Sequence, residues 1–281
     1  MKYIDKNRNR QQGEGIVSEF LDCFHARRNA YPDDMYSAFS REIDDAHDHV
    51  RFLDRLKNEV LIPEQQGHCC YCMRNLNSCH RVTVEHIMPN HAVNTVELDQ
   101  YRLRPTPLDG LPHSDDFKSM NPMVYPPHPH SIAYQNLVLS CDGDFFHENT
   151  RAACCNLKRR HQFVPPLVLY PEITETFVYR ADGWAEWTED PQPPHSVNNA
   201  MRILGLNNGV LRMIRRIWFF CQDQHLEPQE QGKEIIVNTL MGYLDPNSTT
   251  ESEIQMLANF KKEKYWNLLL QYEAFANIPH G

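Results

Sequence analysis

Cys69-Cys70-Tyr71-Cys72, Val84-Glu85-His86-Ile87, Asn136-Leu137-Val138-Leu139-Ser140-Cys141 and Cys155-Asn156-Leu157-Lys158 follow one another through the middle of this chain, and their order decides how it is read. A Cys-x-x-Cys pair supplies two sulfurs of a tetrahedral zinc shell, and Cys141 with Cys155 can supply the other two. Spacing alone leaves Cys154 as an alternative to Cys155, and Cys70 as an alternative to Cys69. Cys69 keeps the two-residue gap to Cys72, and Cys155 runs directly into Asn156-Leu157-Lys158, so these two are preferred. Four sulfurs leave zinc no open position, so such a centre staples a fold and performs no chemistry itself. Chemistry then falls to the residues the staple positions, which are Glu85, His86, Asn136 and Asn156.

Outward from this segment the chain reads as helical. Ile16, Val17, Phe20, Leu21 and Phe24 mark one short helix. Tyr36, Phe39, Ile43, Ala46, Val50, Leu53 and Leu56 recur at three- and four-residue steps and predict a single long helix over Met35 to Val60, closed by Pro63 and Gly67. From about Leu103 to His130 prolines are dense, which predicts a loop without helix or sheet that walls a site or meets a partner. His113, His128 and His130 within it read as solvent-exposed side chains. Thr176 to Thr188 reads as a hairpin around Ala181-Asp182-Gly183, and three helices follow over 200–220, 233–244 and 252–276. The expected fold class is therefore α+β, with a small zinc-stapled core embedded in a mainly α-helical chain. Its parts are an N-terminal helical region 1–66, a core 67–165 with a Pro-rich insertion, and a hairpin with C-terminal helices 166–281.

The 281 residues, 41% hydrophobic and 23% charged, are ordinary globular composition, with no apolar run near the roughly 18 residues a membrane span requires. The polar first residues lack the apolar middle of a secretory signal, so the cytoplasm is the expected compartment. Nine cysteines there read as metal ligands plus spare thiols, Cys23, Cys79 and Cys221 among the spares. A formal charge of -9 excludes a broad basic face for a phosphate backbone. Nucleic-acid contact must be local, at Lys158-Arg159-Arg160, or borrowed from a partner.

Hydrolysis of a phosphodiester needs an activated water, a Lewis acid, and groups that hold the two in line. A neutral imidazole suits the first role, which falls to His86, and Glu85 offers a hard oxygen to magnesium or manganese. If Arg81 to Ile87 is a strand, Glu85 and His86 point to opposite faces, so a shared site requires a turn at Glu85-His86. Asn136, at the head of a strand, would hold either the His86 ring or the loop around it. Asn156 begins a short helix, as a metal ligand or as its N-cap.

In their order these motifs resemble those of the HNH (ββα-metal) endonucleases. Met1-Lys2-Tyr3-Ile4, Ser140-Cys141-Asp142-Gly143 and Ile203-Leu204-Gly205-Leu206-Asn207 narrow the resemblance to the PtuB family of Septu and retron-associated anti-phage defence. The resemblance implies an HNH nuclease core with His86 as general base and Asn136 as positioning residue. It implies Glu85 and Asn156 on a catalytic Mg2+ or Mn2+, beside the structural Zn2+. It implies a PtuA-like ATPase as partner, extending to a retron reverse transcriptase and its msDNA, and DNA or a host RNA such as tRNA as substrate. The family's last histidine is Asn156 here, which leaves His147 or His161 as alternative ligands. The competing expectation is a zinc-stapled module that binds nucleic acid or the ATPase without cutting.

Overall fold

The computed structural model describes residues 1–79, 81–92, 94–102, 104–122, 124–146, 153–160, 162–188, 197–245 and 247–281. His147 and His161 lie outside the described residues, as does Pro191 to Pro194. Helix α1, Arg10–Arg28, buries Ile16, Val17, Phe20, Leu21 and Phe24 as their spacing predicts. The long helix expected next does not form. Instead α2, Met35–Arg41, gives way to a hairpin of β1, Ile43–Asp44, and β2, Val50–Arg51; α3, Phe52–Leu56, then continues through a π-helical turn into α4, Ile62–Glu64. Asp44 is the reason: its carboxylate accepts the Ala46 amide at 3.1 Å, the His47 ring at 2.9 Å and Arg55 at 2.7 Å. Short acidic side chains that bond the local backbone compete with a helix. Ile43 and Val50, expected on the buried stripe, are exposed, while Phe39, Phe52 and Leu56 stay in the core.

The centre of the molecule is an antiparallel pair, β3 (Val82–His86) and β4 (Leu137–Cys141), in register from Val82↔Cys141 to His86↔Leu137. Every residue of β4 is buried. Its outer edge has no third strand among the described residues; the Gln65 side chain bonds both Leu139 N and Leu139 O, at 2.7 and 2.9 Å, and buried Lys6 donates to Leu137 O at 2.7 Å. Leu139 O also accepts the Cys70 amide at 3.0 Å, while Leu139 N and Leu137 O, which lie on this buried edge, take side-chain partners.

Between these strands lie α5, Thr95–Asp99, and α6, Ser114–Met120. The Pro-rich stretch is therefore not all loop: its longest proline-free interval, between Pro112 and Pro122, makes two helical turns. Its histidines are not solvent-exposed either. His113, His128 and His130 are 6%, 0% and 0% exposed, their Nε2 atoms bonded to Ala92 O, Ser18 Oγ and Pro89 O.

After β4 comes α7, Cys155–Arg159, lying against it, then α8, Ile173–Thr176, and the hairpin β5, Phe177–Tyr179, with β6, Ala185–Trp187. The expected tail helices form in shorter pieces: α9, Val197–Leu204; α10, Gly209–Asp223; α11, Pro228–Gln231; α12, Lys233–Tyr243; α13, Glu251–Asn259; and α14, Glu263–Leu270. The fold is mixed α+β, and one continuous set of buried side chains runs from Met1 to Phe275. No helix among the described residues is long and apolar enough to cross a membrane.

Candidate metal centre and the His86 loop

Cys69, Cys72, Cys141 and Cys155 converge with all four sulfurs within 4.8 Å of one another, and each residue is at most 4% exposed. Cys69 Sγ and Cys155 Sγ are 3.7 Å apart, Cys72 Sγ and Cys141 Sγ 3.6 Å. A zinc ion at about 2.3 Å from each of four sulfurs sets tetrahedral edges of about 3.8 Å, whereas a disulfide needs about 2 Å. All nine cysteines are free thiols, and the spacing fits a metal such as zinc. Local backbone builds each half. Met73 turns at φ 69° so that its amide reaches Cys69 O at 3.1 Å, while Cys69 N bonds Arg74 O at 2.8 Å. On the other side Gly143, at φ +73°, brings Cys154 N to its carbonyl at 2.9 Å; a Cβ at Gly143 would fall 2.1 Å from Cys154 O, so only glycine lets the two segments close. Cys154 is the neighbouring buried thiol, and it stands outside the four-sulfur set. Tyr272 OH, two hundred residues away, lies 3.6 Å from Cys72 Sγ.

β3 runs through both Glu85 and His86, and the bend comes after them, at Ile87-Met88. The turn at Glu85-His86 that a shared site required is absent, and the two neighbours project from opposite faces of the strand. On one face His86 Nε2 lies 2.8 Å from Ser131 O, and Tyr36 meets the ring edge-on at 4.3 Å between centroids. A carbonyl only accepts, so Nε2 carries the proton and Nδ1 the lone pair. Nδ1 has no partner among the described residues. Burial pushes the ring's pKa down to about 4, against the opposing pull of the Ser131 carbonyl, so it is neutral at ordinary pH.

Asn136 shapes the loop rather than the ring. Its Oδ1 accepts Met88 N at 2.7 Å, and its Nδ2 donates to Met88 O at 2.9 Å and His130 O at 2.8 Å. The side chain is fully buried and clamps the segment after His86 to the segment that ends in Ser131, the residue holding the His86 ring.

On the opposite face of β3, Glu85 is 6% exposed and buried beside Arg159, with Oε2 3.5 Å from Arg159 Nη1 and Oε1 accepting from Ser140 Oγ at 3.3 Å. Burial raises its pKa to about 7, with Arg159 and Ser140 pulling the other way. Arg159 is not at the surface as expected of a phosphate contact. Its guanidinium also donates to Tyr71 OH, His86 O and Ile87 O at 3.2, 3.1 and 3.1 Å. In this arrangement both Glu85 oxygens are engaged and a cation already stands beside one of them, which does not fit a hard divalent ion at Glu85. Asn156 is half-buried, in the first turn of α7 after the N-cap Cys154, and its side chain makes no hydrogen bond among the described residues. Lys158 and Arg160 are exposed. Sequence reading missed Tyr36, Ser131 and Tyr272 because they act from 45 or more residues away, with no local pattern. Comparisons with family models, curated proteins and solved structures found no match.

Proposed function

We propose that this chain is a metal-dependent HNH endonuclease of the PtuB type, built on a zinc-stapled ββα-metal core. It hydrolyses phosphodiester bonds of DNA, or of a host RNA such as tRNA, within an anti-phage complex containing a PtuA-like ATPase. The observation that carries this reading is the His86 ring, held in one tautomer and one orientation at the end of a strand whose partner, β4, ends in the cysteine cluster. Its free Nδ1 is the general base that takes a proton from water. A ring with a pKa of about 4 is a weak base, but the negative charge of an arriving phosphate raises it toward working pH. Lys158 and Arg160 are the phosphate contacts this chain contributes, and the net charge of -9 makes the ATPase, or a retron reverse transcriptase with its msDNA, the source of the remaining basic surface. Mg2+ or Mn2+ on Glu85 and Asn156 requires Glu85 to part from Arg159.

The Glu85–Arg159 pair favours the second reading, a zinc-stapled module that binds nucleic acid or the ATPase without cutting. Incubation of the ATPase complex with plasmid DNA and with total RNA in Mg2+, in Mn2+ and in neither separates the two. Metal-dependent cutting of either nucleic acid is expected; intact DNA and RNA under every condition would leave the module.

A further inference from the structure

The β5–β6 hairpin and α9 enclose a cleft of about 740 Å3, lined by Trp184, Glu186, Trp187, Met201, Arg202 and Asn207. Trp184 is 38% exposed, although the Arg212 guanidinium lies 5.0 Å from its ring centroid. The indole nitrogen of Trp187 is buried and has no acceptor among the described residues, whereas that of Trp218 donates to Leu269 O at 3.0 Å. Two of the cleft's three asparagines are already engaged: Asn207 bonds both Ala185 N and Ala185 O at 2.8 Å, and Asn208 caps α10. Arg202, which shares one nitrogen with Asn199, remains, and Asn198 also lines the cleft, while Glu186 lies 3.9 Å from Arg180. Two indoles beside an amide and a guanidinium suit a flat heterocycle with polar edges.

Gly205, at φ +64°, fixes where this cleft sits. A Cβ there would lie 2.8 Å from Ala153 O and 3.3 Å from Lys158 Cγ, so the cleft wall rests on the stem of Lys158, whose side chain is exposed. A stacking cleft beside a cation reproduces the two halves of a nucleotide. We infer that the Trp184–Trp187 cleft binds an unpaired base of a nucleic-acid strand whose phosphates pass over Lys158 and Arg160. Single strands and flipped-out bases are its ligand class; a closed duplex offers no free base face. The inference rests on nucleic acid being the substrate, and not on His86 cutting it.

The test is fluorescence anisotropy with the full chain carrying His86→Ala, so that the ligand survives, on a labelled single-stranded oligonucleotide and on its abasic counterpart of equal length and charge. Binding of the base-bearing strand is expected to be about tenfold or more the tighter, with quenching of tryptophan emission by that strand alone. Trp184→Ala should remove most of that preference and leave abasic binding as it was. Arg202→Ala, on another element, should reduce the preference as well, with circular dichroism confirming that both variants fold. Equal affinity for the two strands, no binding of either, or a preference untouched by Trp184→Ala and Arg202→Ala would overturn the cleft assignment, even if the wild-type complex cuts nucleic acid. Base-dependent binding by a chain that never cuts would overturn the nuclease reading alone.

Discussion

Asn136→Ala removes three hydrogen bonds in one step and leaves Met88 N, Met88 O and His130 O without them, in residues that are fully buried. At about 1–2 kcal/mol for each buried group left unpaired, the loss comes to ~3–6 kcal/mol. That is a large share of the roughly 5–15 kcal/mol that holds a domain together. Asn136→Asp should cost as much, because a carboxylate can still accept Met88 N but turns two acceptors toward the carbonyls of Met88 and His130. Urea denaturation followed by tryptophan emission is the assay, read as a shift of midpoint at constant slope. The clamp also sets the Ser131 carbonyl, so any cleavage activity should fall with it even under conditions where the variant stays folded. A loss below about 1 kcal/mol for Asn136→Ala would refute the reasoning, since that is the value of an ordinary turn asparagine.

Other outcomes follow from the same contacts. The purified chain should carry one zinc by elemental analysis, and Cys141→Ser should lose both the metal and the cooperative thermal transition, since apparent binding energies of structural zinc reach about 10 kcal/mol or more. Arg159→Ala should destabilise the fold by about 3–5 kcal/mol, because it strands the buried Glu85 and the carbonyls of His86 and Ile87; Arg159→Lys, with one compact charge in place of a fork, should restore little of this in the same denaturation assay. Burial holds His128 and His130 at about 4 in the folded chain, below the unfolded value of about 6.5, so the unfolded chain binds more protons between those limits. The stability they contribute is complete above the unfolded value and is lost as pH falls toward 4, by ~2 kcal/mol each at pH 5. His128→Gln should reduce the loss between pH 7 and pH 5 by about 2 kcal/mol in denaturation curves, leaving the shares of His130 and of His86, whose pKa burial lowers alike.

The cysteine set was legible because Cys-x-x-Cys spacing is a local property, and Gly143, visible in the sequence only as part of a motif, turns out to be what closes the second half. The β5–β6 hairpin was legible through its Asp-Gly turn. The helix over Met35 to Val60 was misread because hydrophobic spacing says nothing of Asp44, whose carboxylate finds better partners in a hairpin than in a helix. Glu85-His86 was expected to turn so that both could share one site; the ladder to β4 carries the strand through His86, and Glu85 is left facing Arg159. Arg159 itself reads as a surface charge in the run Lys158-Arg159-Arg160, and nothing nearby in sequence reveals that its acceptors His86 O and Ile87 O lie more than seventy residues upstream. The buried histidines of the Pro-rich insertion were equally hidden, since their acceptors are backbone carbonyls and one serine from distant segments.

The central claim is that His86 is the general base of a nuclease whose cysteine centre is structural. Its most direct test compares cleavage of plasmid DNA and total RNA by the ATPase-bound wild type and His86→Ala, with zinc content measured on both. Loss of cutting in His86→Ala at unchanged zinc content is the predicted result. Equal cutting by both proteins, or none by either in Mg2+ or Mn2+, would contradict it.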